Sequence, residues 1–131
     1  MRVVQQLSVF LENKPGTLAE VCEALGQRGI NMLAITVADT VDHAVVRLVP
    51  DRAEDAVHML GNAGMLVVEN PVLMVDISNE PGALGRIAQR LALAGINIEY
   101  AYCTVSKGQD TGALVLRVED IEEAGKVLAE E

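Results

Sequence analysis

A short loop motif occurs twice in this sequence and contains residues that could bind a small charged molecule. The segment LENKPGTLAEV begins at Leu11, and ISNEPGALGRI begins at Ile77. In each, Asn-x-Pro-Gly lies between an apolar, strand-like run and a helix-like run. Glycine leaves the backbone N–H groups at a helix start uncovered, and the helix dipole attracts a carboxylate there. Because asparagine can bind an ammonium or a carboxylate, the motif fits a cradle for a zwitterion.

The same motif also fits an ordinary helix entry. Proline suits the first helical turn because its missing N–H would be unpaired there, and asparagine and glycine commonly precede helices. Asparagine recurs where a following strand should begin, as Asn31 and Asn97. Strands favour β-branched and aromatic residues, so this residue is either a second ligand contact or a turn residue after glycine. The residues alone leave both interpretations open.

The two motifs belong to a longer repeat, which indicates a tandem duplication. Eight residues of the first copy are identical at equivalent positions of the second: Asn13, Pro15, Gly16, Leu18, Leu25, Gly29, Ile30 and Asn31. Their counterparts are Asn79, Pro81, Gly82, Leu84, Leu91, Gly95, Ile96 and Asn97. We therefore predict two domains, residues 1–69 and 70–131, each built from the same elements.

Apolar spacing predicts the first strand and helix of each copy. Alternating Leu7, Val9 and Leu11 indicate a half-buried strand. An amphipathic helix is indicated by four residues at helical spacing: Leu18, Val21, Cys22 and Leu25. The second copy repeats both patterns at Leu73, Val75, Ile77, Leu84, Ile87, Ala88 and Leu91. Gly29 and Gly95 are predicted to end the helices as left-handed caps.

The remaining elements complete a βαββαβ order. Second strands are predicted from Asn31 to about Ala38 and from Asn97 to about Val105, followed by AVVRLV and ALVLRV as third strands. Apolar positions of a second helix follow in each copy: Ala53, Ala56, Val57 and Leu60, then Ile121, Ala124 and Leu128. A fourth strand, Met65 to Val68, is visible only in the first copy. The predicted fold class is α+β: two tandem ferredoxin-like units packed side by side, with antiparallel sheets and helices on one face.

Composition excludes several partners and compartments. A net charge of -9 and three aromatic residues argue against nucleic acid. No apolar run could span a membrane, and Gln5 and Gln6 interrupt the start as a signal peptide. Cys22 and Cys103 form neither a disulfide framework nor a metal pattern. We expect a cytoplasmic protein without membrane or nucleic-acid partners, cofactor or metal.

Catalysis is not indicated by any motif. The sequence has no paired histidine and nucleophile, phosphate loop or dinucleotide fingerprint. His43 and His58 lack a repeating ligand partner and are expected at the surface. Cys22 falls on the apolar stripe of a helix, and no base lies near Cys103 in the sequence. We therefore expect no catalytic residues and no enzyme activity.

The repeated segments resemble ACT domains, small ferredoxin-like modules that regulate amino-acid metabolism. The resemblance covers nearly the whole chain and rests on LSVFLENKPGTLAEVCEALGQRGINM and VDISNEPGALGRIAQRLALAGINIEY. It implies a free amino acid bound where two domains sit side by side and pair their second strands. The first loop of one domain then faces the second strand of the other. Residues matching the family's ligand loops are Asn13, Pro15, Gly16, Thr17, Leu18, Asn79, Pro81, Gly82, Ala83 and Leu84, while Asn31 and Asn97 match the strand-opening asparagine.

Several side chains near this implied seam have two interpretations. Tyr100 and Tyr102 are two apart and are predicted to share a face with Ile98, so that one ring covers the ligand or both rings only pack. Lys14 and Glu80 occupy equivalent loop positions, so the two sites need not bind equally, or both side chains simply face solvent. The second copy departs from the family pattern in lacking a last strand, which leaves either an exposed sheet edge or a tail outside the sequence.

Outward-facing residues of the first strands differ between the copies. Gln6 and Ser8 are polar, whereas their equivalents Val72 and Met74 are apolar. We therefore expect the open face of the second copy to be covered, most simply in a homodimer.

The resemblance implies a non-catalytic regulator that binds an amino acid and signals through a partner. An alternative is a regulatory small subunit of a separate biosynthetic enzyme, because SVFLENKPGTLAEVCEALGQRGIN resembles the opening of the acetolactate synthase small subunit. A transport or storage binder is a third possibility. The sequence names neither the amino acid nor the partner enzyme.

Overall fold

The structure is a computed structural model that describes residues 1–39 and 43–129. Its strands are β1 (Arg2–Glu12), β2 (Met32–Asp39), β3 (His43–Pro50), β4 (Leu66–Ser78), β5 (Ile98–Thr104) and β6 (Thr111–Val118). Its helices are α1 (Thr17–Gln27), α2 (Ala53–Asn62), α3 (Ala83–Leu93) and α4 (Ile121–Ala129). The predicted α+β class and element order are confirmed. The turn predicted between β2 and β3 lies outside the described residues.

The chain forms two compact units. The first unit is Gln5–Asn70, and the second unit combines Met1–Val4 with Pro71–Glu131. In the first unit the strands lie in the order β2-β3-β1-β4, with β3 antiparallel to both β1 and β2. In the second unit the order is β1-β4-β6-β5, with β6 antiparallel to both β4 and β5. Each unit is thus a ferredoxin-like sheet with two helices.

The predicted alternating residues form the two cores. Leu7 and Val9 are fully buried against Val21 and Leu25 of α1 in the first unit. The second unit repeats this packing with Leu73, Val75, Ile77, Ile87 and Leu91. Burying one such aliphatic side chain stabilises the folded state by about 1.5–3 kcal/mol. These contacts therefore hold the helices, and the loops that precede them, in fixed positions.

One position of the predicted helix stripe is wrong in both copies. Leu18 is 38% exposed and Leu84 is 44% exposed, although both lie at core spacing. They occupy the first turn of α1 and α3, where the helix begins and the core has not yet closed over it. Both leucines are consequently free to contact a ligand or another domain.

The glycine caps at the helix ends are confirmed. Gly29 has φ 68° and Gly95 has φ 73°, a left-handed conformation that suits residues without a Cβ. The Ile30 N–H donates to the Leu25 carbonyl at 3.0 Å, and Gly29 N–H donates to Gly26 at 3.0 Å. These two hydrogen bonds form a Schellman motif, which sets the direction in which the chain enters β2.

Two strands contribute to both units. The predicted boundary between residues 69 and 70 does not fall in a loop, because the 13-residue strand β4, Leu66–Ser78, continues through it. The first residues of β1 lie with the second unit: Arg2 Nη2 donates to Met74 Sδ at 3.4 Å, and the Met1 methyl lies 3.8 Å from the Cβ position of Gly125. The last strand missing from the second copy's own sequence is therefore supplied from the start of β1.

The outward residues of the first strands are buried within the single chain. Val72 is 0% and Met74 8% exposed, and the polar equivalents Gln6 and Ser8 are 0% and 8% exposed. A second chain is not needed to cover Val72 and Met74. The apolar character of this face thus gives no support to a homodimer.

A β-bulge near the start of each second strand changes which residues share a face. Ile98 pairs with Val118, but Tyr100 pairs with Arg117, so one residue is inserted between them. Tyr100 and Tyr102 therefore do not share the face of Ile98, which packs against the core. The corresponding irregularity in β2 falls between Met32 and Ala34. Alternation alone could not predict this shift.

Candidate functional site

The duplicated loop places a left-handed glycine directly before each helix. Gly16 has φ 95° and Gly82 has φ 86°, and neither helix has a side-chain cap. Helix α1 begins at Thr17 and α3 at Ala83. Pro15 therefore lies in the turn before the helix, as does its counterpart in the second copy, and the prediction that proline occupies the first helical turn is wrong. Glycine is required here by its backbone conformation, whatever the loop binds.

Free backbone donors lie at the start of both helices. The first helical hydrogen bonds come from Glu20 N–H to Gly16 and from Arg86 N–H to Gly82, both at 3.0 Å. Within the described residues, the N–H groups of Leu84 and Gly85 donate to no protein acceptor. Such groups, aligned with the helix dipole, can bind a carboxylate.

A groove beside the second loop has room for a small molecule. It encloses about 200 Å³ and is lined by Ile77, Ser78, Asn79, Glu80, Gly82, Ala83, Leu84, Gly85, Cys103 and Val105. Leu84 and Val105 are exposed and give the groove an apolar wall. The structure thus brings most of the predicted second-copy loop together with the end of β5.

The corresponding surface of the first copy is also apolar. Ile35 and Val37 pair with the core residues Leu48 and Val46, so they lie on the helix face of β2. They are nevertheless 41% and 48% exposed. Together with exposed Leu18 of α1, they form an open apolar surface in the first unit.

Asn79 does not point into the groove as a free ligand contact. Its Nδ2 donates to the carbonyls of Ser106 and Gln109, at 3.0 and 2.8 Å. Its backbone N–H donates to the Asp110 carbonyl at 2.8 Å. Asn79 therefore holds the β5–β6 turn against the loop, a structural role that the motif did not indicate.

Replacing Asn79 with alanine should lower the free energy of unfolding by about 1–2 kcal/mol, because two side-chain hydrogen bonds are lost. Asn97→Ala is the matched control: the Asn97 side chain makes no hydrogen bond within the described residues, so its effect should stay within about 0.5 kcal/mol. Urea denaturation of both variants measures the difference. Equal stabilities would show that the Asn79 bonds contribute nothing.

The two loops carry opposite charges in different arrangements. In the first loop Lys14 Nζ contacts Glu12 Oε2 at 3.1 Å, outside the helix start. The Thr17 hydroxyl lies 3.0 Å from the Glu12 carbonyl and 3.1 Å from that of Lys14, so it braces this loop. In the second loop Glu80 instead contacts Arg86, with Oε1 and Nη2 2.5 Å apart. The predicted difference between Lys14 and Glu80 thus corresponds to a real difference in loop structure.

The strand-opening asparagines lie far from the loops of their own units. Asn97 lines a different cavity with Asp120 at the start of α4, whereas Cys103, near the other end of β5, lines the groove beside the loop. The seven residues of β5 span roughly 20 Å. In the first unit, Asn31 likewise lies beside the turn that precedes α2, since its N–H donates to Asp51 Oδ1 at 3.1 Å. A ligand in one loop cannot touch the strand-opening asparagine of the same unit.

Both second strands are sheet edges in the described residues. β2 pairs only with β3, and β5 pairs only with β6. Their outer backbone N–H and C=O groups are available to another strand. The site implied by the sequence therefore requires a neighbouring domain to bring an asparagine to each loop.

Sequence reasoning missed Arg86 and two groove residues, Cys103 in β5 and Val105 directly after it. Arg86 Nη1 lies 3.2 Å from the Cβ position of Gly82, so its guanidinium covers the helix start. Its place in the first turn of α3 was a usable signal, because Glu80 carries the opposite charge in the loop. Cys103 and Val105 gave no such signal before the β5 register was known.

The fold and the duplicated loops define a tandem module of two ferredoxin-like units. The chain belongs to the ACT family, since the ACT domain pair model matches residues 1–131. No protein of curated function matches it.

Solved structures share this architecture. A protein from Bacteroides thetaiotaomicron is 32% identical, with a TM-score of 0.92 over 98% of this chain and 88% of that chain. The regulatory subunit of aspartate kinase from Thermus thermophilus is 20% identical, with a TM-score of 0.73 over 99% and 97%. The same subunit from Thermus flavus is 20% identical, with a TM-score of 0.65 over 99% and 96%. At such identities the kinase subunits show the fold alone.

Two features are absent from the described residues. No helix is long and apolar enough to cross a membrane. No group of three or more His, Cys, Asp or Glu side chains is arranged to hold a metal ion.

Proposed function

We propose that this protein is a non-catalytic sensor that binds a free amino acid at its two glycine loops and signals through a partner. The observation that carries this proposal is the loop geometry. In the second unit, unpaired N–H groups of Leu84 and Gly85 open onto a groove of about 200 Å³ with an apolar wall. Helix-start donors suit a carboxylate, and exposed leucine suits the aliphatic part of the ligand.

The ligand ammonium requires a further polar contact, which Asn31 and Asn97 would supply from a neighbouring domain. Because each lies at the far end of its own strand, we propose that the second strands pair with those of another domain, most simply in a homodimer. The exposed edges of β2 and β5 and the exposed Ile35 and Val37 support this arrangement. The cytoplasm is the proposed location, where free amino acids are the metabolic signal.

A thermal-shift screen with every standard amino acid tests the proposal. A ligand present at a hundred times its Kd should add about 2.7 kcal/mol of stability, which raises the melting temperature by several degrees. Purines serve as the negative control, because they lack the carboxylate that the loops are proposed to bind. If no amino acid raises the melting temperature, the proposal fails.

Replacing Asn31 or Asn97 with alanine should weaken amino-acid binding about 10- to 150-fold, the worth of a charge-assisted hydrogen bond. Unliganded stability should change by less than about 0.5 kcal/mol, because neither side chain is bonded within the described residues. Calorimetric titration and urea denaturation measure the two quantities. Unchanged affinity in both variants would show that neither asparagine contacts the bound amino acid.

A second candidate function is a regulatory subunit of a separate amino-acid biosynthetic enzyme. It is favoured by the match over 97% of the length of a kinase regulatory subunit, which shows that this architecture occurs as a regulatory chain. Co-purification with an enzyme whose activity responds to the bound amino acid would support it. A pure protein that binds the amino acid but associates with no enzyme would favour a stand-alone binder.

A further inference from the structure

The second loop contains an ion pair beside the helix start at which a ligand carboxylate is proposed to bind. Arg86 Nη1 lies 3.2 Å from the Cβ position of Gly82, directly over the left-handed residue that opens α3. Arg86 Nη2 and Glu80 Oε1 are 2.5 Å apart, so the Glu80 carboxylate is held at the same end of the helix. The free N–H groups of Leu84 and Gly85 lie in this first turn.

The first loop lacks this arrangement. Nothing lies within 4 Å of the Cβ position of Gly16, so its helix start is uncovered. Glu20 stands where the second copy has Arg86, and Lys14 stands where it has Glu80. Lys14 is directed to Glu12, not to the helix start. The duplication has therefore produced one loop with an uncovered helix start and one loop whose helix start lies beside an ion pair.

We propose that Arg86 binds the ligand carboxylate in the second loop and that Glu80 is its internal competitor. This inference rests on the proposed function of the loops. A guanidinium presents paired N–H donors that match a carboxylate, so an incoming carboxylate can replace Glu80 on Arg86, and the released Glu80 carboxylate, which is exposed, is then hydrated by solvent. The two loops then bind the same amino acid with different strengths, because only one must first release a carboxylate of the protein.

The Glu80–Arg86 pair can be displaced because it is solvent-exposed. Each side chain is 58% exposed. Ion pairs of this kind shift an equilibrium by at most about fivefold. Glu80 therefore tunes the affinity of the second loop and does not close it. Removing Arg86 has a larger effect, since a hydrogen bond between ionised groups is lost.

The experiment follows each loop separately by two-dimensional ¹⁵N NMR while every standard amino acid is titrated into the protein. The Leu84 and Gly85 amides report the second loop, and the Leu18 and Ala19 amides report the first. Glu80→Gln should tighten binding at the second loop about two- to fivefold. Arg86→Gln should weaken it about 10- to 150-fold.

Matched substitutions in the first copy provide the controls. Lys14→Gln and Glu20→Gln change the equivalent positions, and they should leave the second-loop Kd unchanged. Unliganded spectra confirm that each variant is folded, as expected for exposed side chains.

The outcomes separate the inference from the function on which it rests. If amino acids shift both sets of amides but Glu80→Gln and Arg86→Gln leave the second-loop Kd unchanged, the inference is wrong and the proposed function stands. If Glu80→Gln weakens binding, Glu80 is a ligand contact and the competitor role is wrong. If no amino acid shifts any of these amides in any variant, both the function and the inference fail.

Discussion

Gly82→Val is expected to lose about 1–3 kcal/mol of stability and the entire amino-acid response of the second loop. Gly82 has φ 86°, a conformation that strains a β-branched residue. The new side chain would also meet Arg86, which lies 3.2 Å from the Cβ position. A branched side chain at this position covers the helix start that the ligand carboxylate must reach. Gly16→Val should do the same to the first loop, where φ is 95°.

Two other glycines provide controls, because their substitution is expected to raise stability rather than lower it. Gly85 in α3 and Gly26 in α1 have no positive φ, and nothing lies within 4 Å of their Cβ positions. Alanine at either position should raise stability by up to about 1 kcal/mol, because glycine is a poor helix former. Urea denaturation and thermal shift with the amino acid measure both effects. A folded Gly82→Val protein whose second loop still binds would show that glycine serves only the turn.

Deleting Arg2–Val4 is expected to destabilise the second unit by about 3 kcal/mol, since strand hydrogen bonds contribute about 1 kcal/mol each. These residues begin β1 and lie within that compact unit. Their loss leaves β4 with an uncovered edge. Hydrogen exchange should show protection lost from residues 71–129 before residues 5–70.

A double substitution separates the contribution of the β1 backbone from that of its exposed side chains. Arg2→Ala with Val3→Ser keeps the backbone of β1 and removes two exposed side chains, so stability should fall by no more than about 1 kcal/mol. If the deletion leaves exchange in residues 71–129 unchanged, the start of β1 is not needed by the second unit.

The sequence predicted the cores and the repeat well because both depend on short-range periodicity. Leu7, Val9 and Leu11 alternate, and α1 repeats its apolar residues at helical spacing, so burial follows from local pattern. The same periodicity failed at Leu18, because a helix start projects beyond the core. It also failed at Tyr100, because the bulge in β5 depends on pairing with β6.

The remaining features that the sequence did not predict are contacts between distant parts of the chain. Nothing near Met1 indicates that its strand joins the second unit, since the contacts are with Met74 and Gly125. Asn79 matched a ligand motif, but its partners Ser106 and Gln109 lie in a turn with no recognisable signal. For the site, the sequence predicted where the duplicated loops precede the helices, whereas the contacts of Arg86 and Asn79 needed three-dimensional positions.

The place of Met1–Val4 in the second unit has a consequence for how this protein is made. Met1–Val4 are synthesised long before α4, against which the Met1 side chain packs. A nascent chain emerging from a ribosome can therefore assemble the Gln5–Asn70 unit first, while its leading residues wait for a strand not yet translated. For the same reason, splitting the gene at the centre of the repeat would separate Met1–Val4 from the residues with which they fold, so the second fragment would lack one strand of its sheet.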